Sequence, residues 1–153
     1  MQTRKIFEAN GLRTYLLVLA EGDEAFAEIS AFARAERVTG AGLTAVGACR
    51  EATLGWFDPE AADYRATSFT EQMEVLSLLG DIALQDDRPA LHAHIVLGRR
   101  DSSAIGGHLL RAVVFPTMEV IVTETPTHLR KRVDPETGLA LIAPHASSDG
   151  PAD

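Results

Sequence analysis

Residues 91–109, LHAHIVLGRRDSSAIGGHL, hold three of the chain's five histidines and set a polar tip, Arg99 to Ser103, between two apolar arms. Side chains two apart on a strand leave from the same face, so His92 and His94 share one face while Ala93, Ile95 and Leu97 take the other. At a rise of about 3.3 Å per residue, the two imidazoles stand ~6.6 Å apart along the strand. A hairpin turning on Asp101 brings residues equidistant from it face to face, which sets His94 opposite His108. A bulge at Gly106–Gly107 shifts that register by one, and the same two glycines permit close approach of a neighbouring chain or ion.

The rest of the chain extends this pattern. After Thr39 it breaks into short β-prone runs: LTAVGAC (43–49), ATLGWF (52–57), YRATSF (64–69), MEVLSLLG (73–80), DIALQ (81–85), HLLRAVV (108–114), MEVIVTE (118–124) and LALI (139–142). Turn signals such as Asp58-Pro59 and residues 134–138, DPETG, divide them. One segment reads differently. DEAFAEISAFARAERV, Asp23 to Val38, repeats Phe26, Ile29 and Ala33 at helical spacing, with Asp23 as N-cap and Glu24 complementing the first-turn dipole. Shorter helices are also compatible with residues 107–112 and 126–130. The pattern predicts an α+β fold, a mainly antiparallel sheet flanked by helices. Residues 1–143 form one domain, and the polar, small-residue segment 144–153, PHASSDGPAD, reads as a flexible tail in which His145 is no site residue.

A chain of 153 residues with 46% hydrophobic and 24% charged residues and mean hydropathy +0.01 has the profile of a soluble globule. The only cysteine, Cys49, lies in an apolar run; it allows no intramolecular disulfide and reads as a buried thiol in a reducing cytoplasm. Arg4 and Lys5 are followed by an interrupted apolar run rather than a signal peptide, and no segment approaches the ~20 apolar residues that cross a bilayer. Fourteen Lys and Arg against 22 Asp and Glu give a net charge of -8 and a pI near 5.1. Phosphate backbones reward the opposite sign, so this composition argues against autonomous DNA binding. The small basic cluster Arg130, Lys131 and Arg132 reads as a solvated strand end.

Three neutral imidazoles suit zinc or another borderline divalent ion, and a three-histidine site leaves one coordination position for water or a ligand. Glu119, alternating with Met118 and Val120, faces away from the apolar side and is a candidate outer acceptor, fourth ligand or general base. Trp56 and Phe57 read as core or interface aromatics. The chain has no GxSxG, no phosphate-cradling glycine loop and no CxxC, which removes several enzyme classes.

Taken in order, RTYLLVLAEGDE, GLTAVGACREATLGWFD, EQMEVLSLLGDIAL, ALHAHIVLG, IGGHL and TMEVIVTE with LRKRVDPETGLALI resemble the PPC domain, the plants and prokaryotes conserved family also called DUF296. The resemblance runs from about Leu12 to Ile142. It implies a compact α/β domain, a mainly antiparallel sheet flanked by helices, assembled as a homotrimer. In prokaryotic members that keep the histidines it implies a zinc site, whose ligands here are His92, His94 and His108. In plant members the domain follows AT-hooks and mediates trimerisation and contact with other regulators. The plant segment that engages partners is similar to Glu71, Gln72, Met73, Glu74, Val75 and Leu76 here. This sequence has no Arg-Gly-Arg AT-hook core, so a DNA-binding label for such chains rests on the plant branch. The expected function is a stand-alone regulatory module that binds a small molecule or protein partner. The alternative is a zinc-dependent enzyme acting on a small molecule, with Glu119 moving protons.

Overall fold

The computed structural model describes residues 1–149. Its elements in chain order are β1 (Gln2–Ala9), β2 (Leu12–Ala20), α1 (Ala25–Ala35), β3 (Gly40–Asp58), β4 (Asp63–Phe69), β5 (Met73–Gln85), β6 (Arg88–Gly98) and β7 (Ala104–Glu124). Three very short strands follow, β8 (Thr127–His128), β9 (Lys131–Val133) and β10 (Ala140–Ile142), then a 3-10 turn at Pro144–Ala146 and β11 (Ser148–Asp149).

Seven strands form one antiparallel sheet in the order β1-β2-β7-β6-β5-β3-β4, and β3 also pairs with β7. That extra pairing closes β3, β5, β6 and β7 into a ring. Within it Thr44 of β3 lies between Leu79 of β5 and Ile121 of β7, while further along Gly55 lies between Ala66 of β4 and His108 of β7. The runs that read separately as LTAVGAC and ATLGWF are thus one 19-residue strand, and HLLRAVV with MEVIVTE belong to one 21-residue strand. Local turn chemistry gave no sign of this: β3 keeps β7 on one side along its length while its other neighbour changes from β5 to β4, so the strand runs on past the point where a short run would end.

The core fills the space between α1 and one sheet face. Ala25, Ile29, Phe32 and Ala33 pack with Leu17, Leu19, Ile95, Leu97, Val120 and Val122, all 5% exposed or less. Each large apolar side chain sequestered in this way contributes about 1.5–3 kcal/mol. The helix starts later than Asp23. Glu24 is the cap, accepting from the backbone N–H groups of Phe26 and Ala27 and also of Ala112, whereas the Asp23 carboxylate takes Ala20 N–H and the N-terminal ammonium. At the other helix end Arg13 clamps three elements. Its Nε donates to Glu124 Oε2 at 2.7 Å and its Nη2 to the Glu36 carbonyl at 3.2 Å, and the Glu124 side chain is only 9% exposed.

The two shorter helices are absent. Residues 107–112 lie within β7, paired with β6 and then β3, and that ladder outweighs local helix preference. Residues 126–130 are extended and carry β8. The Pro144 segment is not featureless up to residue 149, since Ser148–Asp149 pair with Thr127–His128; residues 150–153 of the expected tail lie outside the described residues. Among the described residues, no helix is long and apolar enough to cross a membrane.

Candidate metal centre

The Asp101 hairpin forms in the register drawn from sequence: His94 is opposite His108, Ile95 opposite Gly107 and Val96 opposite Gly106, without a bulge. The glycines answer a need for close approach. A Cβ on Gly107 would sit 2.9 Å from the Gly55 carbonyl oxygen of β3. Pairing between β6 and β7 ends at His94–His108. Past that point β7 continues against β3, with Leu109 opposite Leu54, and β6 keeps only β5, with His92 opposite Asp81. The two strands part there, and the three histidines line the parting.

Potential ligand nitrogens of His92, His94 and His108 all lie within 4.8 Å of one another. Every pair of rings has its centroids 5.2 Å apart, His92 nearly parallel to His108 and both nearly perpendicular to His94. Two nitrogens on one tetrahedral zinc stand about 3.3 Å apart when Zn–N is ~2.0–2.1 Å, so small ring rotations close the remaining gap. His94 is exposed and the other two are half-buried, which leaves one side open to solvent.

The donor set fits a divalent ion on two further counts. His108 Nδ1 is buried and has no hydrogen-bond partner among the described residues, an uncompensated polar atom that a metal ligation would satisfy. Burial, followed by the neighbouring His92, His94 and Lys131, pushes the His108 imidazole down to about 4, and burial followed by His92 holds His94 below its ordinary value. Both rings therefore stand neutral at pH 7, the form that ligates.

Surrounding groups fix the rings. Tyr64 of β4 stacks on His108, centroids 4.3 Å apart, and Phe57 meets Tyr64 edge-on at 5.6 Å. Gly55 makes room for this: a Cβ there would lie 2.8 Å from Tyr64 Cδ1. Asp81 Oδ2 is 3.1 Å from His92 Nδ1, and Lys131 Nζ is 2.8 Å from Asp81 Oδ1. Asp81, Tyr64 and Lys131 escaped the sequence reading. Lys131 in particular is not solvated: its side chain is 4% exposed, which corrects the reading of the 130–132 cluster.

Other candidates fall elsewhere. Glu119 is opposite Val18 and Val46 and shares a shallow groove with Leu16, Leu76, Leu79 and Ile121, outside the histidine cluster. Within the 71–76 segment Met73 and Val75 are core residues. Glu71 pairs with Arg99, and Glu74 and Leu76 face solvent. Trp56 is 64% exposed, whereas Phe57 packs on Tyr64. Cys49 is fully buried and its thiol is pushed up to about 11 by burial, as befits an inert core group.

Known structures share this architecture. A protein from Bacteroides thetaiotaomicron, whose descriptive name provisionally assigns it DNA binding, superposes with a TM-score of 0.84 at 28% identity, over 92% of this chain and 96% of that one. A plant- and prokaryote-conserved protein from Pyrococcus horikoshii gives 0.81 at 28% identity, over 90% and 97%. A protein from Archaeoglobus fulgidus described as metal-containing gives 0.76 at 33% identity, over 94% and 99%. No curated protein matches the sequence. The model of the Plants and Prokaryotes Conserved domain, abbreviated PCC or PPC, matches residues 6–126. With fold, histidine hairpin and sequence in agreement, this chain belongs to the Plants and Prokaryotes Conserved domain family.

Proposed function

We propose that this protein is a homotrimeric, metal-containing regulatory module that binds a small molecule or protein partner, with zinc held by His92, His94 and His108. The observation that carries the reading is the convergence of three ligand nitrogens within 4.8 Å on a strand parting that solvent reaches. Zinc so held supplies a Lewis-acidic position open to an anionic or neutral donor. The protein's own part is to keep the His94 and His108 imidazoles neutral, to wall one side with Tyr64, and to leave the His94 side accessible.

A continuous apolar surface supports self-association. Val46, Leu76 and Leu79 are 56–58% exposed, and with Ile121 and Leu16 they border one groove on the sheet face away from α1. Apolar patches on a soluble protein of this size mark interaction surfaces. His94 lies opposite Leu79 across the β5–β6 ladder, so the metal centre adjoins this face. The reducing cytoplasm suits the single buried thiol. DNA is a poor partner for a chain of net charge -8. The alternative of a zinc-dependent enzyme needs a proton carrier at the ion, and Glu119 stands in the apolar groove instead.

Elemental analysis tests the metal reading. Untagged wild type is expected to carry about one zinc per chain and His94→Ala essentially none; equal metal content in the two sinks the proposed ligation.

A further inference from the structure

We infer that Asp81 and Lys131 are positioning residues for the metal centre: together they lock the His92 ring in the tautomer and orientation that present its Nε2 to the ion. The inference rests on the three-histidine reading above and adds to it a chain of control that begins outside residues 6–126 matched by the family.

The first link is His92 to Asp81. A carboxylate oxygen only accepts, so the 3.1 Å contact between Asp81 Oδ2 and His92 Nδ1 places the imidazole proton on Nδ1. The lone pair is then on Nε2, the atom left to ligate. Both residues are held by the β5–β6 ladder, in which they are direct partners, so the carboxylate meets the ring from a fixed backbone position. A histidine free of such a partner divides its population between two tautomers and several ring orientations, and only one of these is ready for an ion.

The second link is Asp81 to Lys131. Lys131 Nζ lies 2.8 Å from Asp81 Oδ1, and that buried oxygen has no hydrogen-bond partner besides this ion pair among the described residues. The ammonium is itself almost fully buried, at 4% side-chain exposure. A buried cation with one carboxylate, and a buried carboxylate oxygen with one cation, hold each other in place, because removing either leaves the other unpaired.

The third link is Lys131 to the rest of the fold. It opens β9, and the preceding residues dock on the end of β5: Leu84 N–H donates to the Leu129 carbonyl at 2.7 Å, and Leu84 bridges Arg130. The segment after β7 therefore does more than finish the chain. Its docking sets Lys131, which sets Asp81, which sets His92. Outer partners of this kind alter metal affinity by roughly 10–100-fold in other sites.

The test compares wild type, Asp81→Asn and Lys131→Met in two measurements. Zinc affinity is measured by chelator competition, and the His92 tautomer by imidazole nitrogen NMR on the metal-free proteins. Both variants are expected to bind zinc roughly 10-fold or more weakly, and their His92 is expected to lose its predominance of Nδ1–H. The double variant should bind no more weakly than the worse single, since both act through one ring. Asp81→Asn, nearly isosteric, decides the matter if Lys131→Met does not fold. Variants that melt earlier but keep wild-type zinc affinity and the Nδ1–H tautomer overturn the inference, since a merely structural role gives that result. Wild type that binds no zinc removes the metal reading and this inference together, whereas wild type that binds with variants that bind alike removes this inference alone.

Discussion

His108 makes acid stability a direct probe of the metal centre. Its imidazole titrates at about 4 in the folded chain, burial being the main cause, against an ordinary 6.5. Between those values the unfolded chain takes up a proton that the folded one refuses, so stability is fully present above pH 6.5, falls as the pH drops, and levels off near pH 4. The full displacement corresponds to at most ~3 kcal/mol at 1.36 kcal/mol per pH unit. The ring is only half-buried and solvent screens it, so about 1–2 kcal/mol survives. At ~2–4 °C per kcal/mol for a domain of this length, the metal-free protein should melt ~2–8 °C lower at pH 4.5 than at pH 7 through this residue. Carboxylates titrate in the same range, so the quantity to measure is the difference between wild type and His108→Gln, in melts taken across that range with chelator present. That difference should narrow as pH falls. On the proposed zinc reading, added zinc should steepen the decline and start it at higher pH, because protons must then displace the ion. Parallel curves for the two proteins would refute the assignment of a buried, neutral His108.

Three other outcomes are expected. Arg13→Met strands the nearly buried Glu124 carboxylate and should cost about 3–5 kcal/mol by urea denaturation. Adding Glu124→Gln should recover part of that loss, and additive effects would deny the pairing. Light scattering should give a mass near three times 16.5 kDa for wild type and a smaller one for Leu79→Asp, which puts a charge in the exposed apolar face; a wild-type monomer would remove the trimer from the proposal. Titration of micromolar protein with labelled duplex DNA at low and physiological salt should detect no salt-sensitive binding, and a steep salt dependence would reinstate a nucleic-acid role.

The hairpin at the centre of the site was legible because two simple rules meet there: alternate side chains share a face, and a turn fixes register. Those rules placed His94 against His108 and put Ala93, Ile95 and Leu97 in the core. They failed where contacts are distant. Asp81 and His92 are eleven residues apart and joined by strand pairing, and Lys131 reaches Asp81 from a basic cluster whose composition resembles any exposed strand end. Tyr64 gives no signal at all until β4 folds over β3 and Gly55 leaves room above His108. The helix cap moved from Asp23 to Glu24 because the N-terminal ammonium and Ala20 claimed the aspartate. One local signal was overlooked: Asn10 and Gly11 both have positive φ, the turn chemistry that joins β1 to β2.

The ring of β3, β5, β6 and β7 has an order of assembly written into it. Its closing seam joins the third strand of the chain to the seventh, with Ala41 against Glu124 at one end and Gly55 against His108 at the other. Segments so far apart must find each other before the seam repays the loss of chain freedom, which places folding in the slower regime of about milliseconds to seconds. On the ribosome, β3, β5 and β6 emerge while their last partner is still unmade. His92 and His94 then wait as an incomplete pair, and the three histidines come together only after β7 has been synthesised and the seam has shut.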